Sequence, residues 1–277
     1  MKTSTAPVHT ASDLAEALAL RQTYPDATVL AGGTDLMVFL EAGLIQPRRI
    51  INLWGCDGLR GIEEDESAGT VRIGALTTWT DLIRHAAIPD TLQECARTVG
   101  ATQTQNRATV GGNICNASPA GDSLPLWLAL DAELEVASVR GTRRVAARDF
   151  WTGYRTVSLA PDELLVAVHI CPTNSDHVHY RKVGTRLAQA ISKVVLGGRL
   201  RIVDGIVTEA RVALGSVAPV PLRLPAVEAA LEGGPVNPAA ADHVVADIAS
   251  IDDIRSTASY RNTVATRVVR SWLESCR

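Results

Sequence analysis

Aromatic residues make up only 4% of this 277-residue sequence, and methionine and phenylalanine occur twice each. With so few flat side chains, an array of rings on which nucleic-acid bases could stack is excluded. Neither sign of charge dominates: 27 lysines and arginines face 30 aspartates and glutamates, a net charge of -3. That balance gives no electrostatic footprint for nucleic acid or for an anionic membrane. Long apolar runs are also missing. The longest clean one, Leu124 to Leu130, falls far short of the ~20 residues a membrane-spanning helix needs. The first residues, with Lys2, Asp13 and Glu16, lack the apolar core and cleavage pattern of a signal peptide. Cys56, Cys95, Cys115, Cys171 and Cys276 are dispersed without a CxxC, which argues against a disulfide framework and against a metal cluster held by this chain alone. A cytoplasmic protein is expected, and the sequon at Asn116 is read as fortuitous.

What is abundant is small and β-branched residues, which suit closely packed sheets. Thr10 to Asp13 reads as a capping box opening a helix whose apolar face holds Leu14, Ala17 and Leu18. After Pro25 a short buried strand, Thr28 to Ala31, runs into Gly32-Gly33-Thr34-Asp35, and a second strand follows from Arg49 to Leu53. Leu59 to Ala75 reads as strand, acidic turn, strand. Thr78 to Ala86 and Leu92 to Val99 read as helices, and Leu134 to Val139 and Leu164 to Ile170 as further strands. Arg107 to Ile114 is too rich in glycine for a helix interior. Beyond Pro172 the texture changes. Two β-rich runs, Val194 to Val203 and Ile206 to Leu214, meet at Asp204-Gly205, a pair suited to a type I′ hairpin turn. Helical stretches follow Pro225 and Pro238. A last helix from about Ser259 carries Tyr260, Val264, Val268 and Trp272 on one face. The fold class is α+β, with a first unit over 1–175 and a smaller α+β unit over 176–277.

Two glycine pairs stand out. Gly32-Gly33-Thr34 and Gly111-Gly112-Asn113 each offer backbone N–H groups with no side chain in the way, and Thr34 and Asn113 add donors of their own. Such loops can approach a pyrophosphate closely. Neither is a GxGxxG in a strand–turn–helix unit, and neither is a P-loop. On residue type and spacing alone, tight turns and a site for a phosphate-bearing cofactor both remain open.

The longer strings are more specific. Thr28 to Leu36 resembles the first flavin-binding loop of the molybdenum hydroxylase flavoproteins, the family of the xanthine, carbon monoxide, nicotine and quinoline dehydrogenases. Arg107 to Asp122 resembles that family's second loop almost position for position. Tyr180 to Val194 is similar to the start of its C-terminal domain, and Asp253 to Arg261 to its closing helix. The resemblance implies a two-subdomain FAD-binding fold of the vanillyl-alcohol-oxidase (PCMH) type, divided near residue 56, followed by the family's small C-terminal domain. Carried over by position, Val29, Leu30, Ala31, Gly32, Gly33, Thr34 and Asp35 would wrap the pyrophosphate and ribityl chain, together with Thr109, Val110, Gly111, Gly112 and Asn113. Asp122 matches an aspartate that contacts the phosphate-ribose region, Lys182 a lysine near the isoalloxazine, and Leu165 a residue packing on the ring, a part that Leu164 could take after a one-residue shift.

The resemblance further implies an electron-transfer subunit. An iron–sulfur small subunit carrying 2Fe–2S clusters would pass electrons to FAD, a large subunit would hold molybdopterin and hydroxylate the substrate, and NAD⁺ or another acceptor would be reduced. No side chain is assigned as a general acid or base, since the cofactor carries the redox chemistry. A stand-alone flavin reductase or oxidase on the same fold, and a flavin-free scaffold subunit, are the alternatives. The four-cysteine insertion of the benzoyl-CoA reductase branch is absent. His177 and His179 share a strand face, as a metal-binding pair would, but no third ligand accompanies them and a solvent-facing pair is expected. Cys115 reads as a small buried filler, Asp252-Asp253 as a helix cap, and Arg181, Arg186 and Lys193 as either a solvated face or a partner-binding run.

Overall fold

The computed structural model describes residues 6–171, 176–186 and 189–277. At the N-terminus strand and helix alternate: β1 (Val8–Thr10), α1 (Leu14–Thr23), β2 (Thr28–Leu30), α2 (Leu36–Glu41) and β3 (Ile50–Asn52). The helical crossovers make the strands parallel, in the order β1-β3-β2. α1 carries the expected Leu14, Ala17 and Leu18, but its cap lies three residues beyond the expected Thr10 to Asp13 box, because Thr10 is taken up by β1. Asp13 accepts the N–H of Glu16 at 2.9 Å, while the Glu16 carboxylate reaches back to the N–H of Ser12 at 2.8 Å.

A larger antiparallel sheet follows, in the order β4-β5-β10-β6-β7. Its strands are β4 (Ile62–Asp65), β5 (Thr70–Gly74), β6 (Glu133–Ser138), β7 (Gly141–Ala146) and β10 (Leu164–Ile170), with the small pair β8 (Trp151–Gly153) and β9 (Thr156–Val157) beside it. α3 (Trp79–Arg84), α4 (Asp90–Thr98), α6 (Val110–Asn116) and α7 (Leu124–Ala129) share its hydrophobic core, with α5 (Thr102–Gln105) beside α3. Its core includes the fully buried Trp79, Trp127 and Phe150. A separate cluster, with Ala17, Ile51, Leu53, Leu59, Leu76 and Val166, joins the N-terminal sheet to the larger one.

One of these helices departs from the sequence expectation, and another falls on a run to which the sequence assigned no element. α6 runs through Gly111 and Gly112, the stretch read as too glycine-rich for a helix. Thr109 caps it, its side-chain oxygen accepting the Gly112 N–H at 3.1 Å. Both glycines fall in the first turn, and Gly111 is required there by packing: a Cβ on it would lie 2.7 Å from the Cβ of Ala75. α7 is the apolar run Leu124 to Leu130, buried along its whole length because it lies between the large sheet and the C-terminal unit.

The C-terminal sheet orders β11 (Asp176–Val183), β12 (Val194–Val203), β13 (Ile206–Gly215) and β14 (Leu222–Arg223) in sequence, all antiparallel. The Asp204-Gly205 turn has φ of 50° and 78°, the two positive values a type I′ turn demands. Glycines let helices close on both faces. A Cβ on Gly197 would lie 2.6 Å from the Pro125 carbonyl of α7, and one on Gly198 would lie 2.4 Å from the Trp272 ring. After α8 (Pro225–Leu231) and a 3-10 turn at Pro238–His243 come α9 (Val244–Asp247) and α10 (Ala258–Ser275), which carries Trp272. The spacing of four along α10 is present, but its buried face is offset. Arg261, Ala265, Val269, Trp272 and Leu273 are buried, while Tyr260 is exposed and Val264 and Val268 lie at the flank. Arg261 takes an inward position because it hydrogen-bonds the carbonyls of Lys193 and Ser216 and the Asp253 carboxylate. Asp131, just past α7, ties the two units together by accepting from Arg199 at 3.0 Å, Arg211 at 2.6 Å and Arg223 at 3.0 Å. No helix among the described residues is long and apolar enough to cross a membrane.

Candidate functional site

β2 ends in the first glycine loop, and the turn from Arg107 to α6 faces it. Gly32 fixes how close they come: a Cβ there would sit 1.9 Å from the carbonyl oxygen of Arg107. Arg107 is itself held, its guanidinium stacked 3.5 Å from the centre of the Trp54 ring, with Arg60 at 4.6 Å from the same ring. Gly33 has a φ of 79°, the left-handed region that disfavours a side chain. Between the loops opens a cavity of about 410 Å³, in the size range of small-molecule and cofactor sites.

The cavity gathers most of the expected residues. From the first loop come Val29, Ala31 and the run Gly32 to Asp35; from the second Thr109, Gly111, Gly112 and Asn113; from β10 both Leu164 and Leu165. Four expected residues do not line it. Leu30 alternates to the other side of β2, and Val110 is fully buried in the core. Lys182 and Asp122 form a buried ion pair at 2.7 Å, which the hydroxyl of Ser192 joins by donating to Asp122. The Lys182 ammonium also donates to the carbonyl of Thr98 at 2.9 Å, placing the pair directly behind Val99 on the cavity wall. Burial pushes the Asp122 carboxyl up, and the Lys182 charge opposes that shift.

The two loops differ in what their backbones offer. Val110 donates its N–H to the Thr77 carbonyl at 3.0 Å, Gly111 to Ala75 at 2.8 Å, Gly112 to the Thr109 side chain and Asn113 to the Thr109 carbonyl at 3.0 Å. In the first loop, the N–H groups of Gly32, Gly33, Thr34 and Asp35 have no protein acceptor among the described residues. A row of unsatisfied N–H groups beside a cavity is a cradle for an anion, and a diphosphate fits its chemistry. Asn113 supports the same wall. Its Oδ1 accepts from Ser123 at 2.7 Å, and Ser123 in turn accepts from the Trp127 ring N–H.

Further residues complete the wall, of which Arg21, Trp79 and Glu163 were not singled out in the sequence. Arg21 of α1 reaches the cavity, as do Trp79, Cys115, Asn116 and Glu163. Glu163 is held by Arg143 through paired bonds of 2.8 and 2.7 Å, which keep its carboxyl below the usual range although burial opposes this. The Cys115 thiol is pushed up to about 12 by burial, so it is an inert filler and not a nucleophile. Asn116, the sequon residue, donates to Asp35 at 3.2 Å and accepts from Arg155 at 2.8 Å. Only spatial proximity reveals Arg21, because α1 precedes the first loop without any motif of its own.

Other candidates resolve into structure. His179 stacks on Trp272 with ring centres 5.9 Å apart, and no group of three potential metal ligands forms among the described residues. Asp252 accepts the N–H of Ala258 at the start of α10, whose capping side chain is Thr257. Lys193 lies over the Tyr260 ring at 4.9 Å, and Arg186 donates to the Gln189 carbonyl.

Comparison with known proteins bears on the same residues. The FAD binding domain in molybdopterin dehydrogenase matches residues 2–173, and the CO dehydrogenase flavoprotein C-terminal domain matches residues 179–276. The xanthine dehydrogenase FAD-binding subunit of Escherichia coli O157:H7 is 36% identical over 266 residues, covering 92% of this chain and 90% of its own. The nicotine 6-hydroxylase medium subunit of Paenarthrobacter nicotinovorans is 29% identical, covering 94% and 93% respectively. Among solved structures, carbon monoxide dehydrogenase from Hydrogenophaga pseudoflava superposes with a TM-score of 0.93 at 30% identity, over 97% of this chain and 96% of that one. With both matched domains spanning nearly the full sequence, the chain belongs to the FAD-binding medium subunits of the molybdenum hydroxylase (xanthine dehydrogenase) family and is an oxidoreductase subunit.

Proposed function

We propose that this chain is the electron-transfer subunit of a three-part molybdenum hydroxylase. It would accept electrons from 2Fe–2S clusters of a small subunit and deliver them to NAD⁺ or another acceptor, while a large subunit holds molybdopterin and hydroxylates the substrate. The observation that carries this reading is the row of free N–H groups from Gly32 to Asp35, facing a cavity in a domain of the FAD-binding family. FAD supplies the two-electron chemistry when bound; the protein supplies its position, its electrostatics and its access to partners.

In this proposal the first loop holds the diphosphate through its backbone, with Thr34 as a side-chain donor. Thr109, Gly111, Gly112 and Asn113 form the opposing wall, and Leu164 and Leu165 pack on the cofactor. Lys182 and Asp122 act from behind Val99, setting the potential of that wall without lining it. A cytoplasmic location suits the five free thiols, which a reducing compartment keeps unpaired.

Acid precipitation of the purified chain tests cofactor retention: all yellow colour is expected in the supernatant, as one FAD per chain. FMN in its place, or colour that stays with the pellet, contradicts non-covalent FAD. Metal analysis of the same sample is expected to find neither iron nor molybdenum in stoichiometric amount. Copurification with iron–sulfur and molybdenum subunits tests the assembly, and substrate oxidation by the single chain would overturn it in favour of a stand-alone flavoenzyme.

A further inference from the structure

The cavity follows β2. Val29 and Ala31 point into it from alternate positions of the strand, and Gly33 continues the same side into the loop. At the end of the cavity away from the loop stands Arg21. Its Nη1 donates to the Ala27 carbonyl at 2.8 Å, so its guanidinium sits beside the start of β2. At a rise of roughly 3.3 Å per residue, that is on the order of 10–15 Å from the Gly32 to Asp35 cradle. The Arg21 side chain is thus placed for one end of a dinucleotide whose diphosphate rests on the loop.

Three observations mark this end as built for a ligand. Arg21 is the only cationic side chain on the cavity wall among the described residues. Its Nη1 serves Ala27 and its Nε is enclosed by protein, so Nη2, which donates to no protein acceptor among the described residues, is the group left for a ligand. No carboxylate among the described residues lies within ion-pair distance of it, although Asp26 is near enough to act on its charge, and burial draws its pKa down. Arg21 is itself half-buried, Cys115 is near enough to act on its charge, and the almost wholly buried Leu53 and Leu59 line the same cavity.

We infer that Arg21 is a positioning residue for the adenosine end of FAD, donating from Nη2 to an acceptor of the purine or ribose. This rests on the reading of the cavity as the FAD site. Of the two rings of FAD, the isoalloxazine must exchange electrons with other proteins and needs an open end, whereas adenine does no chemistry and fits the closed one. Arginine suits adenine because its planar fork can bond ring nitrogens in plane or stack on the ring face.

The test compares FAD with FMN, which has the same isoalloxazine but lacks the adenosine end. In fluorescence titrations of the full chain, Arg21→Met is expected to weaken FAD about tenfold or more, the loss of one hydrogen bond to a charged donor, and to leave FMN affinity unchanged. AMP should compete with FAD for the native chain, and about tenfold or more less well for the variant. Arg21 also supports Ala27, so Cys115→Met, which fills the same end from α6 and leaves that bond intact, is the second variant and should weaken FAD selectively as well. Unchanged FAD affinity in both variants would overturn the inference, as would a parallel loss of FAD and FMN or a native chain that binds FMN as tightly as FAD. A native chain that binds no flavin at all would overturn the proposed function instead.

Discussion

Gly32-Gly33 and Gly111-Gly112 look alike as sequence, each a glycine pair followed by a small polar residue, yet the fold uses them for opposite purposes. In the first loop the backbone is left unsatisfied: Gly32 and Gly33 let the chain turn under the Arg107 carbonyl, and the N–H groups from Gly32 to Asp35 face the cavity without acceptors. In the second loop every N–H from Val110 to Asn113 is already bound, two to the strand edge at Ala75 and Thr77 and two to Thr109. There, absent side chains allow a close approach of α6 to the sheet and keep the cavity open. One loop is a donor surface and the other a thin wall.

Substitutions can break this comparison, beginning with the most damaging. Gly32→Ala must drive the loops apart, because its Cβ would overlap the Arg107 carbonyl at 1.9 Å. Losing two or more charge-assisted bonds of roughly 1.5–3 kcal/mol each should weaken FAD at least a hundredfold. Flavin fluorescence titration reads this directly, and native-like affinity would mean the cradle lies elsewhere. Gly112→Val comes next. Its Cβ would meet the Thr109 hydroxyl at 2.7 Å and stand 3.9 Å from the Cβ of Ala31 across the cavity. A folded but colourless protein is expected, destabilised by about 1 kcal/mol for the damaged cap. Gly205→Val, strained by the φ of 78° in a hairpin turn far from the cavity wall, is the control that should melt earlier and stay yellow.

Gly111→Ala sharpens the contrast. It presses on Ala75 at 2.7 Å and should cost about 1–3 kcal/mol of stability by overpacking, while FAD affinity shifts by only a few-fold, since the Gly111 N–H already serves the sheet. Thermal melts and titrations on one sample separate the two effects. The smallest effect concerns the wall acid Glu163. Paired bonds from Arg143 hold its carboxyl below its ordinary range. A depressed carboxyl stabilises the fold above its unfolded pKa, and that contribution is lost as pH falls below about 4.5 through the folded value. Between pH 5 and 3 the native chain should therefore lose more melting temperature than Glu163→Gln, and equal slopes would remove Glu163 from the acid response.

The legible parts of the fold were those fixed by local chemistry. The helix bearing Leu14, Ala17 and Leu18, the Asp204-Gly205 turn and the strand Leu164 to Ile170 follow from neighbouring residues, and the structure has them. The glycine-bearing helix α6 was not legible, because its reason is the distant Ala75 and the cap supplied by Thr109. The inward face of α10 was misjudged by one position because Arg261, a cation, is buried by bonds to the carbonyls of Lys193 and Ser216, just before β12 and just after β13. The site divides in the same way. The glycine strings marked both loops, but nothing local separates the satisfied backbone from the unsatisfied one, and nothing local brings Arg21 to the cavity.

Amide hydrogen exchange, resolved by residue with and without FAD, tests the distinction between the loops most directly. Without cofactor, the amides of Gly32 to Asp35 should exchange fast and those of Val110 to Asn113 slowly, as their hydrogen bonds dictate. On adding FAD, Gly32 to Asp35 should become protected while Val110 to Asn113 hardly change. Protection gained by Val110 to Asn113, with none at Gly32 to Asp35, would place the anion cradle on the second loop and contradict the account.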